Sequence, residues 1–290
     1  MPSASDAVLR LRVGVDSGGT FTDVCMLDET SGEVHVWKVG STPGDPSLGI
    51  VAGVEQGLQH IASLSGGSID VTYFGHGTTV ATNALIVGRG VETGMITTAG
   101  FRDVLELRRQ KRDSLYDLQT EKPHILATRD RRLEVRERVL FDGRILAPLD
   151  EEQVRVAARR LRNEGVRSIA VCFLFSYVEP RHELMVKHLL QEEIPDAFVS
   201  VSHEVAPEFR EYERFSTTVV NAYLGPVMKG YLQRLQPRLA QIGVDGDANV
   251  VLQVLNPTSL LKGRLPIHQE MARKAIERLA ERLGLDIMTT

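Results

Sequence analysis

The feature that most constrains this chain is a glycine-rich break between two apolar runs near its start. One apolar run ends at Asp16, and a second begins at Val24. Between them lie Gly18 and Gly19, two threonines and a second acidic residue. This pattern predicts a strand, a tight turn and a second strand, because glycine adopts turn conformations at the least cost.

The predicted turn carries groups that suit a phosphate and a magnesium ion. Without a Cβ, the glycines allow backbone N–H groups to approach a bound anion, and threonine hydroxyls add further donors. A carboxylate at the strand end, Asp16, can hold a Mg²⁺ ion that keeps most of its water ligands. From the pattern alone a plain hairpin turn remains the alternative, since a Gly-Gly pair in a hairpin usually has no other role.

A second glycine-rich string follows a predicted strand at residues 71–74. It reads Gly75-His76-Gly77-Thr78-Thr79 and leads into a predicted helix that contains Asn83. A turn that opens a helix presents free N–H groups and the positive end of the helix dipole to a ligand. The spacing by itself favours a plain turn with a threonine cap and a surface histidine.

A third string begins at the end of a predicted strand and enters a long helix. His203, Glu204 and Glu208 are candidates for handling protons or a metal ion. Ion pairs at helical spacing, such as Glu211 with Arg214, explain the same residues equally well. Both interpretations stay open from the residues alone.

The rest of the pattern alternates strands and helices, which indicates an α/β fold. The apolar run from Ser168 to Phe175 predicts a strand buried on both faces of a mixed or parallel sheet. An earlier helix is predicted to open with Asp45 as its N-cap and Pro46 at the first position. Leu48, Val51, Val54 and Leu58 are expected to form its apolar face.

Composition and charge give no support for several classes of partner. The 290 residues suffice for one large domain or two smaller ones, and the net charge of −4 gives no reason to expect nucleic acid or an anionic membrane as a partner. Cys25 and Cys172 lie in apolar runs and are expected to be reduced, buried thiols. No signal peptide or membrane-spanning run is found in the sequence, so we expect a cytoplasmic protein.

The three strings together resemble the hydantoinase A / 5-oxoprolinase / acetone carboxylase family, within the actin/Hsp70/sugar-kinase ATPase superfamily. The matching stretches run from Asp16 to Asp23, from Gly75 to Asn83 and from Ala206 to Leu224. The resemblance implies an α/β fold with a mixed sheet: the actin-like, ribonuclease H-like N-terminal lobe and part of a second lobe. It implies an N-terminal domain at 10–205, the start of the second lobe at 206–253, and a tail at 254–290 that is similar to a downstream segment of the family.

The resemblance also implies an ATP- and Mg²⁺-dependent subunit that hydrolyses small cyclic amides, of the hydantoinase or 5-oxoprolinase type. ATP would phosphorylate the ring carbonyl oxygen, and water would then open the lactam or imide ring. Asp16 would hold Mg²⁺ and act with Asp23 in catalysis. The implied phosphate- and cleft-binding residues are Ser17, Gly18, Gly19, Thr20, Thr22, Gly77, Thr78, Thr79 and Asn83. A B-type subunit is the implied partner, and a homodimer is left open.

After Gln253 the sequence departs from the family pattern. The family continues into a second lobe with another phosphate loop and glycine-rich adenosine-binding segments, and neither is found in this sequence. We expect that the central part of that lobe was lost near Gln253, by an internal deletion or by a wrong join in the gene prediction. One phosphate loop instead of two predicts weak or no ATP affinity for the chain alone. The alternatives are a truncated, non-catalytic family member and a subunit of the acetone carboxylase type.

Overall fold

The structure, a computed structural model, describes residues 8–110, 116, 119, 125–244, 249–254 and 286–289. These residues form two compact units. Unit 1 comprises the described residues within 8–83, 228–254 and 286–289, and unit 2 comprises those within 84–227. The domain boundaries inferred from the resemblance concern lobes of a longer protein, and they stay a prediction. Most of the inferred tail from residue 254 lies outside the described residues.

The strands are β1 (Leu9–Ser17), β2 (Phe21–Asp28), β3 (Val34–Gly40), β4 (Ile69–Thr78), β5 (Thr93–Thr98), β6 (Arg132–Val135), β7 (Arg138–Val139), β8 (Ile145–Ala147), β9 (Ser168–Cys172), β10 (Phe198–Val201), β11 (Asn249–Val254) and β12 (Asp286–Thr289). The helices are α1 (Pro46–Ser65), α2 (Val80–Ile86), α3 (Val104–Leu107), α4 (Glu151–Asn163), α5 (Arg181–Glu193), α6 (Ser202–Val205) and α7 (Glu211–Gln241). Even the 31-residue α7 lacks the continuous apolar length of a membrane span, as does every other helix in the described part of the chain.

Unit 1 contains a mixed sheet with the strand order β12-β11-β4-β1-β2-β3. β1 pairs antiparallel with β2, and β2 pairs antiparallel with β3, as the predicted hairpin requires. On its other side β1 pairs parallel with β4, which in turn pairs parallel with β11. The central strand β1 is thus the boundary between the antiparallel and the parallel half of the sheet.

Glycines let α1 lie close to this sheet. A Cβ at Gly53 would stand 2.9 Å from Val24, and a Cβ at Gly57 would stand 2.6 Å from Met26. The buried face of α1 therefore combines these glycines with Ile50, Val54 and Ile61. Of the face predicted from the sequence, Val54 is buried.

The rest of the predicted face and the predicted cap are confirmed in part, since Val51 and Leu58 are half-buried. Leu48 is exposed, because the pattern counted large apolar residues and overlooked the glycines that make the contact. Asp45 is the N-cap residue, but its carboxylate does not cap the helix. It accepts hydrogen bonds from the Ser47 hydroxyl at 2.7 Å and from Arg238 Nη1 at 2.6 Å instead.

Unit 2 contains a four-stranded, entirely parallel sheet with the order β10-β9-β5-β6. Every residue of β9 is buried, as the apolar run predicted, but the strand ends at Cys172 and not at the predicted Phe175. Ile169 and Val171 face the core formed with α4 and α5, whereas Ala170 and Cys172 face the core formed with the first turns of α7. Cys172 is buried as expected, but Cys25 is exposed on β2, contrary to the prediction.

The second glycine-rich string is not a turn at Gly75–Gly77. β4 continues to Thr78, and α2 starts only at Val80. The glycines lie within the strand because parallel pairing with β1 extends along this whole stretch, to Ser17 opposite Thr78. The predicted surface position of His76 is also wrong, since its side chain is completely buried.

A buried polar network anchors the third string in unit 2. The Glu183 carboxylate accepts hydrogen bonds from Phe173 N–H at 2.9 Å, from the Ser202 hydroxyl at 2.6 Å and from His203 Nδ1 at 2.7 Å. Arg214, also buried, donates to the Ser202 oxygen at 3.2 Å. Of the two interpretations, the described contacts of His203 favour a structural role at the start of α7.

We expect Glu183→Gln to destabilise the protein by about 3 kcal/mol. It removes a buried negative charge that is linked to Arg214 through Ser202, and it turns an acceptor oxygen into an amide donor that faces other donors. The measurement is urea unfolding followed by circular dichroism. The matched control is Glu204→Gln, which breaks the 2.7 Å surface pair with Lys187 and should cost less than about 1 kcal/mol. Equal free energies of unfolding for the two variants would contradict the importance of the network.

Candidate functional site

The site lies in unit 1, at the turn between β1 and β2. Gly18, Gly19 and Thr20 form the turn, and all three are exposed. Asp16 lies opposite Asp23 in the antiparallel pairing. The two acids of the predicted string are therefore brought together, one on each arm of the hairpin.

Four strands contribute one residue each to a row that crosses the sheet at this position. Gly77, Asp16, Asp23 and Lys38 are successive partners in the pairings of β4 with β1, β1 with β2, and β2 with β3. Residues paired in this way project to the same face of a sheet. The row therefore places the Asp16 and Asp23 carboxylates side by side, with Lys38 Nζ 2.9 Å from Asp23.

The electrostatics of the row favour a cation at Asp16. The pKa of Asp16 is raised, first by partial desolvation and second by the negative charge of Asp23. Although Asp16 is exposed, the neighbouring protein removes part of its hydration. A divalent ion at the Asp16 carboxylate would relieve the repulsion between the two acids, so the donor set fits Mg²⁺.

Space beside Asp16 is kept open by a glycine on the neighbouring strand. A Cβ at Gly77 would stand 3.4 Å from Asp16 Oδ1. A Cβ there would be in ordinary van der Waals contact with the carboxylate and would occupy the space on the side where β4 passes. The absence of a side chain at Gly77 therefore leaves this space free.

The two glycines of the turn, Gly18 and Gly19, differ in their local surroundings. Neither has a positive φ, so the expectation that the turn needs glycine's special backbone conformations is wrong. Gly18 is favoured by the fold: its N–H donates to the Phe21 carbonyl at 3.0 Å, and a Cβ would stand 3.2 Å from that oxygen, which is closer than ordinary contact. Gly19 has no atom within 4 Å of where its Cβ would be.

The outer edge of the turn is therefore open to a ligand. Within the described ranges, no backbone hydrogen bond uses the N–H of Gly19 or Thr20. The fold imposes no steric demand for glycine at position 19. An open glycine of this kind would allow a bound anion to approach the backbone closely.

Two of the predicted phosphate-binding residues lie on the other face of the hairpin. Ser17 and Thr22 are buried and pair with each other across β1 and β2. Successive residues of a strand point to opposite faces, so both lie on the side that α1 covers. The Thr22 hydroxyl is 3.0 Å from the Ser41 hydroxyl. Contact of either residue with a phosphate stays a prediction.

The second string begins beside the first. Thr78 is the partner of Ser17 in the β1–β4 pairing, and its Oγ1 accepts a hydrogen bond from Val80 N–H at 3.3 Å. At the start of α2, the Thr79 oxygen accepts a bond from the exposed amide of Asn83 at 3.0 Å. The structure thus brings the two predicted strings to the same end of β1, which the sequence alone could not show.

Metal ligation at this site would rely on few protein atoms. Among the residues that the structure describes, no group of three or more His, Cys, Asp or Glu side chains is arranged to hold a metal ion. Mg²⁺ commonly binds through one or two carboxylates and retains several waters, so the Asp16 row meets its requirements.

The sequence interpretation missed His76 and Tyr231 as partners beneath the site. The two side chains are buried, and His76 Nε2 is hydrogen-bonded to the Tyr231 hydroxyl. They are 155 positions apart in the sequence. The sequence pattern predicts a surface position for His76 and contains no signal that singles out Tyr231.

We expect the buried histidine to make the protein less stable in mild acid. Burial lowers the pKa of His76 to about 4 from a usual value of 6.5. The unfolded chain therefore binds a proton between these pH values that the folded chain does not. Stability should be complete above pH 6.5 and should fall as the pH decreases towards 4, by about 3 kcal/mol from this one residue.

The measurement is chemical unfolding across this pH range, comparing the unchanged protein with His76→Gln. The variant should lose less stability on acidification. His60→Gln, which replaces an exposed histidine, is the control and should retain the full pH dependence. Parallel curves for the unchanged protein and His76→Gln would contradict the assignment.

Comparisons with known proteins show what this chain is similar to. The family model described as the hydantoinase/oxoprolinase N-terminal region matches residues 12–194. The caprolactamase subunit alpha of Pseudomonas jessenii is 38% identical over 239 residues, which cover 80% of this chain and 34% of the relative. The acetophenone carboxylase gamma subunit of Aromatoleum aromaticum is 35% identical over 253 residues, covering 81% of this chain and 34% of the relative.

A solved structure supports the fold as well. The ATP-dependent caprolactamase from Pseudomonas jessenii matches with a TM-score of 0.72 and 36% sequence identity, over 82% of this chain and 35% of that chain. The α/β fold of the actin-like ATPase type, expected from the sequence, is thereby confirmed. The chain spans about a third of the length of these relatives.

Proposed function

Because the chain belongs to the hydantoinase/oxoprolinase family, we propose that it is the phosphate- and Mg²⁺-binding part of an ATP-dependent subunit that hydrolyses cyclic amides. One observation carries the proposal: the Asp16–Asp23 carboxylate pair lies directly beside the open turn at Gly19. This combination supplies a metal ligand and free amide donors within one hairpin. A hairpin needed only for folding would require neither.

Each residue of the site has a role in this proposal. Asp16 holds the Mg²⁺ ion, and Asp23 adds negative charge and orients metal-bound water. The amides of Gly19 and Thr20 bind phosphate oxygens, and Gly77 leaves room for the metal and its waters. When bound, Mg-ATP supplies the phosphoryl group that converts the oxygen of a ring carbonyl into a leaving group. Fixed donors of this kind stabilise transferred phosphate without reorganising during the reaction.

The proposed substrate class is a small lactam or imide, as in the caprolactamase that the chain is similar to. Relatives named as alpha and gamma subunits favour an assembly with further subunits, and we propose a B-type subunit as the partner. The likeness to an acetophenone carboxylase subunit favours a second candidate, a subunit of an ATP-driven carboxylase. Assays with a lactam and with a ketone plus bicarbonate, each with the partner subunit, distinguish the two.

We expect Mg-ATP to bind this chain more weakly than micromolar, because one phosphate turn makes only part of the contacts of a closed nucleotide site. Two-dimensional NMR titration should show amide shifts concentrated at Gly19, Thr20 and their neighbours. Calorimetry that finds micromolar binding would contradict the predicted weakness, and shifts elsewhere in the chain would contradict the site.

Gly19→Ala tests the turn without disturbing the fold. Position 19 has open space and no positive φ, so thermal stability should stay unchanged. The added methyl group should weaken Mg-ATP binding about tenfold, which corresponds to losing about 1.4 kcal/mol of binding free energy. Gly44→Ala is the matched control, since Gly44 is also exposed, unstrained and surrounded by open space. Equal binding by both variants would place the anion elsewhere.

Asp16→Asn tests the metal ligand. Added Mn²⁺, a paramagnetic substitute for Mg²⁺, should broaden the amide signals of the hairpin in the unchanged protein. In the variant, the affinity for Mn²⁺ should decrease at least about tenfold, because a neutral amide is a poorer ligand than a carboxylate. Asp70→Asn, at an exposed position of β4, is the control. Undiminished broadening in Asp16→Asn would contradict the assignment.

A further inference from the structure

A continuous chain of buried hydrogen bonds lies behind the proposed phosphate turn. His76 Nδ1 is 3.3 Å from the Val15 carbonyl oxygen, and His76 Nε2 is bonded to the Tyr231 hydroxyl. Burial raises the pKa of Tyr231, and the nearby Thr78 hydroxyl partly offsets this rise as a hydrogen-bond donor to the phenol oxygen. Thr78 Oγ1 accepts the N–H of Val80, the first residue of α2.

The donor and acceptor of every hydrogen bond in this series follow from the groups at its two ends. The Val15 carbonyl can only accept, so His76 Nδ1 carries the proton. A buried imidazole is neutral here, since burial lowers its pKa, and its Nε2 must therefore accept from the Tyr231 O–H. The Tyr231 oxygen is left to accept the Thr78 O–H. The Thr78 oxygen then accepts the Val80 N–H.

The two ends of this chain coincide with the two strings of the site. Val15 immediately precedes Asp16, so the bonded carbonyl belongs to the peptide group that carries the Asp16 N–H. Val80 follows the threonines of the second string and begins α2. The hydrogen-bond chain therefore ties the backbone ahead of the metal ligand to the backbone at the start of the helix.

The Tyr231 hydroxyl is itself held in place by contacts further along α7. Arg238 Nη1 donates to Asp45 Oδ2 at 2.6 Å, and Arg234 lies 3.5 Å from Asp45. Both arginines lie on the segment of α7 that follows Tyr231. These ion pairs favour one axial position of the helix relative to the start of α1, and in that position the phenol lies next to His76.

Packing alone does not explain why the buried side chains at positions 76 and 231 are polar. Buried polar groups are costly to desolvate, and two apolar side chains of similar shape would fill the same space with less penalty. A complete hydrogen-bond chain is expected where it fixes orientation, because such chains rigidify and specify one arrangement.

We propose that His76 and Tyr231 are positioning residues for the phosphate turn: they lock the Val15–Asp16 peptide group in the orientation that aims the Asp16 carboxylate and the turn amides at the ligand. The inference rests on the proposed function. Neither side chain touches the ligand, and both act through the backbone of β1 and through Thr78.

The first measurement is independent of any ligand. Nitrogen-15 NMR of the histidine rings distinguishes the two neutral tautomers, and the hydrogen-bond chain requires the Nδ1–H form at His76. Tyr231→Phe removes only the hydroxyl, so it should shift the amide signals of Asp16 and Gly77. Tyr223→Phe, on the same helix, is the control and should leave them unchanged. An Nε2–H tautomer, or unchanged Asp16 and Gly77 signals, would overturn the inference.

The second measurement is ligand binding at matched stability. Tyr231→Phe should weaken Mg-ATP binding roughly tenfold at a temperature where it is as fully folded as the unchanged protein. Full binding by this variant, alongside reduced thermal stability, would show that the hydrogen-bond chain serves folding only and would overturn the inference. If millimolar Mg-ATP causes no amide shifts at the turn of the unchanged protein, the weak phosphate binding expected under the proposed function fails. The His76 tautomer and the Asp16 amide shift still decide whether the hydrogen bonds position the turn.

Discussion

The pairing of β1 on both sides is the constraint on which the candidate site depends. Antiparallel pairing with β2 sets Asp16 opposite Asp23, and parallel pairing with β4 sets Asp16 opposite Gly77. A shift of either register by one residue would turn Asp16 towards the buried face and bring Ser17 or Val15 in its place. The chemistry of the turn is therefore a consequence of backbone hydrogen bonding in the sheet.

The two faces of the sheet at the hairpin differ in the groups that they carry. The outer face carries the carboxylates, an open glycine on β4 and the free edge of the turn. The inner face carries Ser17, Thr22 and His76, all buried. Because successive residues alternate between these faces, the string Asp-Ser-Gly-Gly-Thr-Phe-Thr-Asp supplies both the carboxylates of the outer face and the hydroxyls of the inner face. Its hydroxyls are not equivalent, although in the sequence they look alike.

Buried polar groups are used differently in the two units. Behind the turn in unit 1, the described bonds join neutral groups, and each has a fixed direction. At the carboxyl ends of the parallel strands in unit 2, Glu183 and Arg214 are charged groups linked through Ser202. The charged network anchors the start of α7 and contributes mainly stability, whereas the neutral chain lies where orientation matters. Low dielectric surroundings strengthen both kinds of bond and make unpaired members costly.

Local patterns in the sequence determined the hairpin, the buried strand β9, the α/β class and the identity of the acidic residues at the turn. These features depend on residues that are neighbours along the chain, so periodicity and turn chemistry suffice to find them. Tertiary structure alone decided that Gly75–Gly77 belong to a strand, that glycines form the contact face of α1, and that His76 meets Tyr231 from 155 positions away. Those outcomes depend on the register between distant strands and on the axial position of a helix, and neither quantity is encoded in any short stretch of residues.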